Sequence, residues 1–256
     1  MAGPRYSPGM NQALHDANEA VRAGLESLGD KAAEKFAAVK PKLRGYLHLG
    51  TAPLALAGGI VLIALSPTDT TRLGSAVFAL SALLLFGVSA IYHTGTWSPR
   101  TWAFLRRFDH ANIFVLIAGS YTPLTLMLLE GTQRVALLTT VWTCAVLGVL
   151  FRVFWTDAPR WLYTPIYIGM GWAAVFFIPG FIDGATSLLG NATAIAVLVL
   201  IGAGGILYTL GGIVYGFKRP NPWPQYFGFH EVFHTFTILA FTTHYIGVSM
   251  ATYSLR

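Results

Sequence analysis

The chain has 256 residues, of which 54% are hydrophobic and only 11% charged, and its formal net charge is +6. Soluble domains usually carry about a quarter charged residues, so the composition excludes an ordinary soluble domain and points to an integral membrane protein. The basic excess sits in short segments between apolar runs, where it belongs to membrane topology and gives no reason to expect nucleic-acid binding.

Residues 1–47 differ from the rest. They hold seven Lys/Arg, from Arg5 to Arg44, and five acids, from Asp16 to Glu34. Leu14, Ala17, Val21, Leu25, Leu28, Ala32 and Phe36 recur at three- and four-residue spacings, which predicts an amphipathic helical segment. Its charges preclude a spanning helix, and no apolar signal-peptide core is visible. It is expected to lie along the inner membrane surface or on the cytoplasmic side of a bundle; a flexible polar tail is the alternative.

Seven apolar segments follow, near 48–66, 74–94, 109–129, 135–154, 161–181, 192–216 and 230–252. Each can cross roughly 30 Å of hydrocarbon at about 1.5 Å per residue. Ser66-Pro67-Thr68-Asp69, Trp97-Ser98-Pro99-Arg100, Asp157-Ala158-Pro159-Arg160 and Lys218-Arg219-Pro220-Asn221-Pro222 punctuate them, because Pro removes a helical donor and such clusters favour turns. The expected fold is an all-α, seven-transmembrane helix bundle over 48–252 with a short extracytoplasmic tail at 253–256. Short loops predict that consecutive helices are antiparallel neighbours. With the amino terminus in the cytoplasm, fourteen of the 17 Lys/Arg fall on the cytoplasmic side, leaving Arg72, Arg134 and Arg256 on the other. That bias predicts a cytoplasmic amino terminus and an extracytoplasmic carboxyl terminus; such a bundle is expected to reside in the cell membrane, with membrane lipids as its partners.

Several residues should modify the spans. Pro123 predicts a kink in the third, and Gly169, Gly171, Pro179 and Gly180 predict a bend or close packing in the fifth. Trp97, Trp102, Trp155, Trp161 and Trp223 lie near predicted span ends as interfacial anchors. The lone Cys144 rules out an internal disulfide and a Cys-rich metal site, and is expected to be a small buried apolar residue.

The isolated polar residues form a pattern. His230 and His234 share one helix face by their four-residue spacing, as do Ser89 and His93. His48 opens the first span and Asp109 and His110 the third, so topology carries all of these residues to the cytoplasmic end. Three imidazoles, His93, His230 and His234, suit a tetrahedral zinc site that keeps a fourth position open. Asp109 is placed to take a proton from an attacking water or to orient it, and Ser89 to hold the same water network. The competing reading is polar helix caps and interhelical hydrogen bonds. Glu231 completes a His-Glu-x-x-His string in which it would be a protease general base, but the downstream helix lacks a third ligand; its simpler role is an acid in a favourable amino-terminal turn. His48 is read as a helix cap or a member of the polar network. His110 faces away from Asp109, and His244, about 15 Å deeper, is expected to hydrogen-bond across helices.

Arg44-Gly45-Tyr46-Leu47-His48, Ser89-Ala90-Ile91-Tyr92-His93, Phe108-Asp109-His110 through Tyr121-Thr122-Pro123, and His230-Glu231-Val232-Phe233-His234 occur in this order. Together they resemble the hemolysin III family, within the progestin and adipoQ receptor superfamily, from about Lys42 to Ile246. The resemblance implies a seven-span fold, His93, His230 and His234 as zinc ligands, and Ser89 and Asp109 in the surrounding polar shell. Members of that superfamily are associated with ceramide hydrolysis or with membrane-energy and lipid homeostasis. The leading expectation is zinc-dependent hydrolysis of a ceramide-like membrane lipid amide. The alternative is a non-enzymatic, zinc-stabilised membrane sensor or homeostasis protein; a proton-relaying transporter and a haem protein rank below it.

Overall fold

The computed structural model describes residues 12, 15–24 and 41–256. The chain divides into two compact units, Met1–Pro41 and Lys42–Arg256. In the first, residues 15–24 are helical and exposed, and include Ala17 and Val21 of the expected apolar stripe. Leu14, Leu25, Leu28, Ala32 and Phe36 lie outside the described residues.

The second unit is built from α1 (Tyr46–Ala64), α2 (Asp69–Thr94), α3 (Pro99–Leu128), α4 (Gly131–Phe154), α5 (Arg160–Gly171), a 3-10 turn (Ala173–Phe177), α6 (Ile178–Leu189), α7 (Asn191–Phe217) and α8 (Phe229–Tyr253). The helix starts follow local chemistry. The Thr68 hydroxyl accepts the Thr71 N–H and the Thr71 hydroxyl accepts the Thr68 N–H, a reciprocal cap on α2. Ser98 caps α3, with Pro99 at a first-turn position where its missing donor costs nothing. The Gly228 N–H donates to the Glu231 carboxylate at the start of α8. Gly45 precedes α1 at φ 88°, a left-handed conformation that glycine adopts without penalty.

Among the described residues, six helical stretches are long and apolar enough to cross a membrane: α1, α2, α3, α4, Arg160–Leu189 and α7. These make the chain an all-α, multi-pass membrane protein. The seventh expected span is present as the 25-residue α8 but is not among the six. Its apolar run is diluted by three histidines, Glu231 and five threonines. The expected bend in the fifth span is a full break: α5 ends at Gly171, the 3-10 turn intervenes, and Pro179 lies in the first turn of α6. Pro123 is carried inside α3, which stays continuous to Leu128.

α3 is the central helix, with 72% of its apolar window buried against 17% for α7. It packs against α2 and α4, while α1 lies along α2, and α7 along α8. The expected neighbour rule holds only partly for the fifth span: α5 packs chiefly on α7, and the span meets α4 mainly through the 3-10 turn. Pro159, just before α5, is extended. Cys144 is also a correction: it is exposed on the outward face of α4, where a thiol is apolar enough to face lipid.

Candidate metal centre

The first turn of α1, the last turn of α2, the first third of α3 and the first two turns of α8 converge at one end of the bundle. Helical periodicity aims His230 and His234 the same way, with ring centroids 4.5 Å apart. His93, from the last turn of α2, meets them: its Nε2 lies 3.2 Å from His230 Nε2, and its ring centroid is 5.5 Å from that of His234. Each of the three offers a ring nitrogen, and these nitrogens all lie within 4.8 Å of one another. His93 and His234 are buried, at 8% and 3% exposure. Asp109 Oδ2 stands 3.7 Å from His93 Nε2.

The donor set fits a metal ion. Two Nε2 atoms face each other at 3.2 Å, and a tetrahedral ion with Zn–N bonds of about 2.0–2.1 Å spaces its nitrogen ligands roughly 3.3 Å apart. A buried polar atom left unpaired costs about 1–3 kcal/mol, yet His234 Nδ1 and both ring nitrogens of His48 are buried here without a hydrogen-bond partner. Such atoms beside converging imidazoles suit a site that holds an ion and ordered water. The three buried histidines could therefore hold a metal ion.

The neighbouring groups sort by geometry. Both Glu231 oxygens are engaged: Oε1 accepts from Arg44 Nε at 2.6 Å and Oε2 from the Gly228 N–H at 2.8 Å. The side chain is fully buried, at 0%. Glu231 is thus a cap and an ion-pair partner, as its place in the first turn suggests, and is not directed at the histidines as a base. His48 stacks on His234, with centroids 3.8 Å apart and an interplanar angle of 12°, and Phe86 meets its edge at 5.0 Å. His110 turns away to pair with the Arg106 carbonyl at 2.7 Å and the Tyr215 hydroxyl at 3.2 Å. His244 reaches the Ile201 carbonyl on α7 at 3.3 Å, the interhelical bond expected of it.

A cavity of about 140 Å³ opens from this cluster into the bundle. His48, Ser89, Asp109, His230 and His234 line its polar end, and Leu85, Ile113, Ile117, Leu124 and Phe181 form much of its apolar wall. Glycines on α5 and α7, including Gly171 and Gly205, also border it. Sequence reasoning used Arg44 and Gly45 only within the motif at the first span and gave no site role to them, nor to Tyr208 and Tyr215, which line the cavity on α7. Nothing local marks such residues; Arg44 and Glu231 are 187 positions apart.

The model of the haemolysin-III related family matches residues 36–245. The chain belongs to this family. A haemolysin-3 homologue of Bacillus subtilis strain 168 is 35% identical over 162 residues, which cover 63% of this chain and 69% of that protein. Haemolysin-3 of Bacillus cereus is 32% identical over 162 residues, covering 63% and 67%. More distantly, the Drosophila melanogaster adiponectin receptor protein is 29% identical over 195 residues, 69% of this chain and 42% of the receptor. The haemolysin-III match takes in every residue of the histidine cluster, so the receptor superfamily named from the motifs is also where the chain's relatives lie.

Proposed function

We propose that this haemolysin-III family member is a seven-span, zinc-dependent hydrolase of a ceramide-like membrane lipid amide, resident in the cell membrane with its amino terminus in the cytoplasm. His93, His230 and His234 hold the zinc. The observation that carries the reading is the convergence of three imidazoles and one carboxylate at the head of a long apolar cavity. The bound ion supplies Lewis acidity and a nucleophilic water near neutral pH.

The protein's own groups do the rest. The apolar wall takes the acyl chain and brings the amide to the polar end, which excludes bulk water and strengthens every dipole there. Asp109 accepts the proton of the attacking water as the new C–O bond forms and the carbonyl carbon becomes tetrahedral, then delivers it to the leaving nitrogen as the C–N bond breaks, releasing a fatty acid and an amine. Ser89 donates a hydrogen bond to the carbonyl oxygen as it gains charge. The test is product release by purified protein across lipid classes, with and without zinc. Zinc-dependent release of fatty acid from lipid amides is expected. No turnover from folded, zinc-loaded protein over a broad lipid panel sinks the proposal.

The burial of His93 and His234 supports a second reading, a non-enzymatic sensor or homeostasis protein in which zinc cross-links α2, α3 and α8. Lipid-dependent conformational change with no turnover, and zinc inaccessible to substrate, would favour it.

A further inference from the structure

We infer that the entry of α1, from Arg44 to His48, is a positioning clamp that sets the geometry of the metal centre; this rests on the metal-binding reading above. α1 carries none of the three proposed ligands. Yet α2, which bears His93, and α8, which bears His230 and His234, make little direct contact, and α1 packs on both. The separation between the ligand nitrogens is therefore governed by a third element.

Three contacts from one turn do this. The Arg44 guanidinium grips buried Glu231, which sits between His230 and His234, at 2.6 Å. Gly45, at φ 88°, backs onto His93: a Cβ there would lie 2.5 Å from the His93 Cβ. The His48 ring lies flat on His234 and is itself braced by Phe86, so the plane of the His234 ring, in which its nitrogen lone pairs lie, is held from one face. Just upstream, the Lys42 and Leu43 N–H groups donate to the Gln225 and Tyr226 carbonyls at 3.0 and 3.2 Å, which ties the same segment to the chain leading into α8. A histidine ring turns freely about its terminal torsion unless packing stops it, and ligand nitrogens must stay within about 0.2 Å of their coordinating positions. Stack, ion pair and close glycine contact together remove that freedom.

The experiment uses the full-length protein in nanodiscs, loaded with zinc or with cobalt as a spectroscopic probe. Zinc release to a chelator, the cobalt absorption spectrum and metal-free thermal unfolding are measured. His48→Ala is expected to speed metal release about 10–100-fold, the usual effect of losing a group that orients a ligand, and to change the cobalt spectrum, both beyond what the loss of metal-free stability from truncating a buried ring accounts for. His48→Phe, which keeps the stack without the nitrogens, is expected to restore release close to wild type. Arg44→Gln and Arg44→Gln/Glu231→Gln test the second contact independently, and both are expected to speed release. Unchanged release in these variants overturns the clamp and leaves the zinc reading standing. So does His48→Phe as defective as His48→Ala, or a loss of metal-free stability in His48→Ala that parallels the loss of metal. Wild-type protein that takes up no metal overturns the metal reading and the clamp together.

Discussion

Among the described residues lining the cavity, Asp109 is the one carboxylate, and it faces His93 across 3.7 Å. A group in that place can serve the chemistry or the ligands, and the two roles separate on substitution. Asp109→Asn preserves shape and polarity but cannot accept a proton. If Asp109 moves the proton, the variant keeps its metal and loses roughly 10²–10⁴-fold in turnover, measured as fatty-acid release alongside metal content. Equal loss of metal and turnover would make it a structural partner of His93 instead. At this scale the candidate site was largely legible. Helical spacing joins His230 to His234 and Ser89 to His93, and a polar residue at the end of an apolar run stands out. Glu231 was harder to read, because its local string suggests protease chemistry and its buried partner, Arg44, lies at the far end of the chain.

The elements meet through glycines, and the close contacts divide them. A Cβ at Gly184 on α6 would strike the Leu128 carbonyl of α3, and one at Gly148 on α4 would strike the Phe114 ring. Gly87 on α2 has nothing within 4 Å of such an atom. Gly184→Ala forces two backbones apart and is expected to destabilise by about 1–3 kcal/mol, the usual cost of overpacking. Gly87→Ala is expected to be neutral or to stabilise by up to about 1 kcal/mol through helix propensity. Reversible unfolding in mixed micelles checks both, and equal stabilities would deny the close α3–α6 contact. In the glycine-rich fifth and sixth segments, Gly180, Gly204, Gly211 and Gly212 are packing positions, whereas Gly169, Gly171, Gly202 and Gly205 meet nothing within 4 Å. Composition could not divide them, since a missing side chain serves close packing and open space equally well.

For the whole molecule, the proposed topology depends on whether α8 crosses the membrane. In a Cys144→Ser background, single cysteines introduced at Asn221 and Ser254 are expected to label from opposite sides of sealed vesicles, with Asn221 on the side of the amino terminus. Labelling from one side would remove α8 as a span and reverse the placement of the carboxyl terminus. The sequence by itself determined that the chain is an all-helical membrane protein and which histidines stand at helix ends, because apolar run length and a 3.6-residue period are local properties that survive without a fold. Only the tertiary structure decided that His93 meets the α8 pair, that Arg44 holds Glu231 and His48 stacks on His234, and that α5 packs chiefly on α7. Those outcomes depend on which helix faces interlock. Close packing settles that among residues far apart in the chain, and periodicity within a single helix carries no record of it.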